Sequence, residues 1–275
     1  MDSYGKIIDS PNRAIVELNA GKGKLQLDSG ARIDLRAGTD SARNDGLPRG
    51  TLELNAPRLG GITGGDIDID ARGPLDIRGA RSIAVNGVWV YTDAPAGTEN
   101  NAGGKPYQVI DQAYLNQLNS DSRDFINNAL ANRNLVDNKL AGLRPYADAL
   151  HLRPGVEIRS ATPDGDLVVQ GDLDLSGMRY ASLNPHTPLN PAIYGSGEVG
   201  NLVIRAGGDL QIHGSINDGF APPPDVKQDA DGWRLLPGYD FLGGDMITPH
   251  AGVTLAAGTL LPGGVVLNLS LIHIS

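Results

Sequence analysis

The sequence contains no cysteine among its 275 residues. This absence excludes disulfide bonds, thiolate metal sites and cysteine nucleophiles. A small secreted domain normally needs disulfides, whereas a long solenoid is stabilised by the stacking of neighbouring repeats. The opening residues form no apolar segment, and no run of about 18 apolar residues occurs, so we expect neither a signal peptide nor a membrane span here. Because strand-like alternation continues to Leu269, we expect a fragment of a longer protein, with any signal upstream of Met1.

Aromatic residues make up only 5% of the chain, whereas glycine occurs 37 times. A core must therefore be built from small aliphatic residues, with frequent turns between short strands. The formal net charge is -9, and nucleic-acid binding needs a basic surface, so we expect no nucleic-acid partner.

One short pattern recurs along the chain: an apolar residue, a polar residue, a second apolar residue and then a small or turn residue. Such alternation puts the aliphatic side chains on one face, as in a half-buried strand. Neighbouring copies are roughly six to nine residues apart in several runs, with glycine between them. The copies start at Val16, Leu25, Ile33, Leu52, Ile67, Leu75, Ile83, Val156, Leu167, Leu173, Leu202, Leu210 and Val253.

Three short strands joined by tight glycine corners form one turn of a parallel β-helix, in which each strand stacks on its equivalent one turn later. The sequence therefore predicts an all-β solenoid. A β-sandwich or jelly roll remains the alternative, because alternation alone does not distinguish parallel from antiparallel pairing.

The period changes to four between residues 107 and 150, which predicts an inserted helical subdomain on the solenoid flank. Within it, Ser120 or Asp121 is a candidate cap for a second helix. The predicted organisation is β-helix coils over residues 1–106, the helical insertion over 107–150, and further coils over 151–275. Exposed or proline-rich loops are predicted at residues 92–106, 184–191 and 221–225.

Three segments together resemble the C-terminal region of filamentous-haemagglutinin-family exoproteins: LRPGVEI at residues 152–158, GDLDLSGMRY at 171–180 and NLVIRAGGDLQIHGSINDGF at 201–220. The helical stretch that begins YQVIDQAYL at residue 107 is similar to an insertion in the same family region. The resemblance covers roughly residues 50–255. It implies a right-handed parallel β-helix and two-partner secretion from a Gram-negative cell through an outer-membrane transporter. It also implies attachment to a host or bacterial surface receptor or glycan. The secretion domain of the family is not in this sequence.

The sequence offers few candidates for metal binding. Asp66, Asp68 and Asp70 alternate, but a calcium-binding EF-hand loop needs Gly and Glu where this chain has Ala71 and Ile77. The histidines lack zinc-binding spacing, so we expect surface histidines, no metal site and no cofactor. They are His151, His186, His213, His250 and His273.

Parallel β-helices also host polysaccharide lyases and hydrolases that use outward carboxylates with arginine or lysine. The candidate groups are Asp172 and Asp174 with Arg179, and Arg205 with Asp209. Such residues are also what any soluble solenoid displays, so we predict no catalytic residue.

Trp89, Tyr91 and Phe220 are the candidate partner contacts, because aromatic residues beside polar loops often anchor interfaces. Packing of Trp89 and Tyr91 against the helical insertion is the alternative. The leading hypothesis is a structural and adhesive segment of a secreted surface exoprotein. The alternatives are a carbohydrate-active β-helix enzyme and a spacer in a contact-dependent toxin exoprotein.

Overall fold

The computed structural model describes residues 14–36, 48–98, 105–191, 193 and 195–218, together with the backbone of five short strands between residues 226 and 261. The chain divides into two units, Met1–Gly219 and Phe220–Ser275. The first unit is mostly β, with parallel sheets and few helices.

The described residues of the first unit form fifteen strands, and each copy of the repeat before residue 220 overlaps one of them. The alternation therefore predicted the positions of these strands correctly. The strands are β1 (Ile15–Asn19), β2 (Leu25–Gln26), β3 (Arg32–Asp34), β4 (Gly50–Leu59), β5 (Asp66–Ile67), β6 (Ile69–Asp70), β7 (Asp76–Arg78), β8 (Ala80–Tyr91), β9 (Tyr107–Ile110), β10 (Leu150–Arg159), β11 (Asp166–Gln170), β12 (Leu173–Asp174), β13 (Asn201–Arg205), β14 (Leu210–His213) and β15 (Ile216–Asn217).

The main sheet has the order β1-β4-β8-β10-β13, every pair in this order is parallel, and the sheet curls into a half-barrel. Smaller parallel sheets pair β9, β11 and β14, then β12 with β15, β2 with β6 and β3 with β7. Only β5 is antiparallel to its neighbour β4 within the described part of this unit. A β-sandwich or jelly roll is built from antiparallel sheets. The parallel pairing of the main sheet therefore excludes that alternative for this unit.

Equivalent residues stack in register across the main sheet. Leu18, Leu54, Val85 and Leu152 form one aliphatic ladder, and the last three are fully buried. The next position carries Asn19, Asn55 and Asn86, where Asn86 Nδ2 donates to Asn55 Oδ1 over 2.7 Å. A slip of one residue would exchange the two ladders, so the register is strongly specified.

The predicted helical segment begins later than residue 107. Residues 107–110 form β9, which pairs with β11, and the helix α1 spans Gln112–Ala131. The Asp111 side chain caps it by accepting from the Tyr114 N–H over 2.8 Å. The helix continues through Ser120 and Asp121, so the predicted second cap there is wrong. A π-helical turn (Asn134–Lys139) and a 3₁₀ helix (Ala141–Tyr146) follow.

The helical segment packs one face of α1 against the core of the first unit and leaves the other face exposed. Phe125, Ile126 and Ala129 of α1 are fully buried in one cluster with Leu54 and Val85 of the main sheet. Leu115 and Leu118, earlier in α1, pack in a second cluster that contains residues of β9 and β11. The helix therefore joins the two clusters, because its apolar positions face both sheets.

Arg58 of β4 fixes this packing from within the core. Its guanidinium lies 4.1 Å from the centre of the Phe125 ring. It also donates to the carbonyl oxygens of Gly87 on β8 and Gly155 on β10. Burial lowers the Arg58 pKa to about 10, so the side chain remains charged at neutral pH.

The second unit contains antiparallel strands. Its strands are β16 (Val226–Asp229), β17 (Gly232–Leu235), β18 (Tyr239–Phe241), β19 (Val253–Leu255) and β20 (Leu260–Leu261), paired β16-β17-β20 and β18-β19.

The prediction of coils throughout residues 151–275 is therefore corrected for these strands. Only two residues separate β16 from β17, which is enough for a hairpin but not for a parallel crossover. The predicted loop at residues 221–225 lies outside the described residues. No helix in the described part of the chain has the length and apolar character needed to cross a membrane.

Candidate functional site

A polar cavity of about 430 Å³ lies on the main sheet beside β4, β8 and β10. Alternation along the strands places Thr51 and Glu53 of β4 on the face opposite the buried Leu52. The same alternation places His151 and Arg153 of β10 on the face opposite the buried Leu152. The lining residues are Arg49, Thr51, Glu53, Arg81, Ser82, His151 and Arg153.

Parallel register brings these side chains together. Thr51 pairs with Ser82, while Glu53 pairs with Ala84, which in turn pairs with His151. Residues that are far apart in sequence thus become neighbours on adjacent strands at about 4.8 Å spacing.

Glu198 is the buried anchor of this cavity, with a side chain only 2% exposed. Its Oε2 lies 2.7 Å from His151 Nδ1, and its Oε1 accepts from Arg153 Nε over 2.9 Å. The hydroxyls of Ser182 and Thr187 donate to Oε2 over 3.4 and 3.3 Å. A buried carboxylate with this many donors is fully hydrogen-bonded and rigidly placed.

The pKa of Glu198 reflects opposing influences. Burial raises it, but the hydrogen bond with His151 and the charge of Arg153 outweigh burial, so the pKa is lowered overall. Glu198 is therefore ionised at neutral pH, and His151 must donate from Nδ1. The other ring nitrogen of His151, Nε2, takes no part in this hydrogen bond.

A short backbone pairing holds Glu198 in this position. Glu198 N–H donates to the Tyr180 carbonyl over 2.8 Å, and Tyr180 N–H donates back over 2.9 Å. The predicted loop at residues 184–191 lies in the same connection, between β12 and β13. Asn184 fastens that loop, because its Nδ2 donates to the carbonyl of Leu150 over 3.0 Å.

Arg153 lies between two carboxylates. Its Nε contacts Glu198, and its Nη1 is 3.8 Å from Glu53 Oε1. A guanidinium held in this way keeps a planar set of donors in one orientation, which suits carboxylate or phosphate groups.

The candidate residues Arg205 and Asp209 contact different partners. Arg205 Nε donates over 3.0 Å to Glu157, a carboxylate that is 6% exposed and also accepts from Arg159. The backbone N–H of Asp209 instead donates to Asp166.

The other enzyme candidates have separate partners. Asp172 accepts from the N–H and hydroxyl of Ser215, which lower the Asp172 pKa. Asp174 accepts from the N–H of Ser176, and Arg179 forms an ion pair with Asp218 over 2.9 Å. Each of the three candidate residues thus has its own local partner.

Two of the three alternating aspartates, Asp66 and Asp70, form ion pairs. Asp66 accepts from Lys139 Nζ over 2.8 and 2.9 Å, and Asp70 accepts from Arg72. Among the described residues, no group of three or more His, Asp or Glu side chains is arranged to hold a metal ion.

The histidines differ in their surroundings. His186 and His213 are exposed, as predicted, whereas the His151 side chain is only 14% exposed. The surface prediction is therefore wrong for His151, because its ring is hydrogen-bonded to the buried Glu198 side chain. His250 and His273 lie outside the described residues.

The predicted contact aromatics occupy different environments. Tyr91 is 4% exposed, and its hydroxyl donates to Asp121 of α1 over 3.4 Å. A side chain this buried leaves no surface for a partner to contact. The partner-contact prediction for Tyr91 is therefore wrong, and the alternative, packing against the helix, is what the structure has. Trp89 is partly exposed beside the second core cluster, and its contact role stays a prediction. Phe220 lies outside the described residues.

Comparisons with known proteins identify no relative. No family model, no curated protein and no solved structure matches this chain. The resemblance to filamentous-haemagglutinin-family exoproteins therefore stays a hypothesis that rests on its three sequence segments.

Proposed function

We propose that the first unit is a right-handed parallel β-helix and that it serves as a structural and adhesive segment of a secreted bacterial surface exoprotein. The observation that carries the proposal is the in-register parallel order β1-β4-β8-β10-β13, with aliphatic and asparagine ladders. In a solenoid, each repeat is stabilised mainly by its neighbours, which yields a rigid support for binding surfaces.

The proposal includes a route and a location that follow from the resemblance. The exoprotein is exported from a Gram-negative cell through an outer-membrane transporter and acts at the cell surface. Its partner is a receptor or glycan on a host or bacterial cell. The polar cavity next to β4, β8 and β10 is the described surface best suited to such contact, because it gathers charged and hydroxyl side chains in one recess.

The test is attachment of coated beads to cells. Beads carrying the purified 275-residue chain are incubated with epithelial and bacterial cells, and bound beads are counted. The matched control is the same chain coupled after denaturation, which has identical composition and charge. We expect more attachment with the folded chain. Equal attachment of folded and denatured chains on every cell type would contradict the adhesive function.

A carbohydrate-active enzyme is the second candidate, favoured by the contact between His151 and Glu198. A carboxylate that holds Nδ1 of an imidazole leaves Nε2 able to take up a proton, which is the arrangement of a general base. Incubation with a panel of acidic polysaccharides tests this candidate. New reducing or unsaturated ends that disappear in His151→Gln would support it, and their absence with the folded wild-type chain would remove it.

A further inference from the structure

We propose that the polar cavity binds the carboxylate of an acidic sugar, with Arg81 and Arg153 as the cationic contacts. The biological role of this site rests on the proposed adhesive function, but the binding itself follows from the cavity and can be measured alone.

The cavity gathers arginine side chains in an acidic protein, and the carboxylates of Glu53 and Glu198 offset the charge of Arg153. Three of its lining residues are arginines and one is a glutamate, whereas the chain carries a net charge of -9. The exposed guanidinium of Arg81 and the held guanidinium of Arg153 both present planar sets of donors, which suit the oxygen atoms of an anionic ligand. An anionic ligand therefore fits this recess better than a neutral or cationic one.

The remaining lining residues favour a sugar over an inorganic anion. Glu53 is an acceptor for a ligand hydroxyl but would repel the second charge of a phosphate. Thr51 and Ser82 supply hydroxyls that both donate and accept. A ligand with one carboxylate and several hydroxyls satisfies all of these groups, and a uronic acid is the simplest such molecule.

Arg153, His151 and Glu53 are held in place before a ligand arrives. Glu198 fixes Arg153 and His151 from behind, and Asn86 Nδ2 donates to Glu53 Oε2 over 2.6 Å. Side chains that are ordered in the free protein lose little conformational entropy on binding, so more of the interaction energy appears as affinity.

The experiment is calorimetric titration of the full chain with galacturonate, with galactose as the neutral analogue and inorganic phosphate as the competing anion. The test variant is Arg81→Gln, which removes an exposed lining charge. The matched control is Arg133→Gln, which removes the same charge from a side chain that is 87% exposed in the helical segment.

We expect galacturonate to bind about tenfold more tightly than galactose, the factor for one charge-assisted hydrogen bond. We expect Arg81→Gln to weaken galacturonate binding by about the same factor and Arg133→Gln to leave it unchanged. In Glu53→Gln, phosphate should gain affinity relative to galacturonate.

Three results would overturn the proposal: equal binding of galactose, equal effects of the two arginine variants, or wild-type binding of phosphate as tight as that of galacturonate. The last result would identify a general anion site. The outcome is separable from the adhesive function, because beads coated with the Arg81→Gln chain report on attachment independently. Galacturonate binding without any cell attachment would leave the site in place and refute adhesion alone.

Discussion

At the scale of single residues, Glu198 is the side chain on which the polar cavity depends. It is almost fully buried, yet it carries a charge that is matched by Arg153 and by hydrogen bonds from His151, Ser182 and Thr187. Breaking such a buried arrangement on one side leaves the remaining charge uncompensated, which costs far more than the loss of a surface ion pair.

Glu198→Gln should lower the free energy of unfolding by about 1.5–3 kcal/mol at pH 7, because Arg153 loses its anionic partner and the NH2 group of Gln cannot accept the hydrogen bonds that the second carboxylate oxygen accepts. The effect should also depend on pH. The folded-state pKa of Glu198 lies below its ordinary value of 4.5, so the ionised group stabilises the fold above that pH. This contribution is lost as the pH falls through the folded-state pKa.

Urea unfolding at pH 7 and pH 3 measures both effects. The wild-type chain should lose more stability between the two pH values than Glu198→Gln does. Asp148→Asn is the control, because Asp148 is 87% exposed and pairs with the exposed His186, so the loss of its charge should change little. An identical loss between pH 7 and pH 3 in wild type and Glu198→Gln would contradict the role given to Glu198.

Asn86 offers a second test at this scale. It is fully buried, and its Nδ2 donates to both Glu53 and Asn55. Asn86→Ala should lower the free energy of unfolding by about 1–3 kcal/mol, because it leaves buried acceptors without their donor. Asn127→Ala, on the exposed side of α1, is the control and should be nearly neutral. Equal unfolding midpoints for both variants would show that the asparagine ladder adds no stability.

Part of the cavity could have been predicted from the sequence. His151 and Arg153 alternate with Leu150 and Leu152, which places them together on the outward face of a strand. Glu198 could not have been found in this way. It lies in a glycine-rich connection without periodicity, and it reaches His151 only because the chain between β12 and β13 folds back onto the sheet.

At the scale of elements, the docking of α1 on β8 depends on the absence of a side chain at Gly87. A Cβ at Gly87 would collide with the ring of Phe125. Gly87→Ala should therefore lower the free energy of unfolding by about 1–3 kcal/mol through overpacking. Gly177→Ala is the matched control, because a Cβ there meets no atom within 4 Å, and its stability should be unchanged or slightly higher.

A double-mutant cycle by urea unfolding identifies the cause. If the Phe125 ring is the obstacle, Phe125→Leu should cost less in the Gly87→Ala background than in wild type. Strictly additive effects of the two substitutions would mean that Gly87 matters for another reason.

The sequence predicted most strands of the first unit correctly but not the start of the helix, for a physical reason. The short strands were located correctly because alternation follows directly from one buried face. Residues 107–110 were assigned to the helix because Ile110, Tyr114 and Leu118 recur with a spacing of four. The strand β9 forms instead because β11 provides a partner for it, and such tertiary pairing overrides a local pattern.

At the scale of the whole molecule, parallel pairing was the part of the fold that alternation could not decide. In the first unit, long connections between equivalent strands allow parallel pairing. After residue 225, the short connection between β16 and β17 allows only antiparallel pairing. The strands that α1 packs against were also beyond the sequence, since the helical period shows which face of a helix is apolar but not which strands that face meets.

Native-state hydrogen exchange tests most directly whether the stacked sheet and α1 form one cooperative core. Four amides should share the highest free energy of opening, because their side chains lie in one buried cluster. They are those of Ile83 and Val85 in β8 and of Ile126 and Ala129 in α1. The amides of the edge strand β1 should open more easily. If the α1 amides instead exchanged through openings about 2 kcal/mol or more below those of β8, the helix would be a separately unfolding subdomain, and the single-core account would be contradicted.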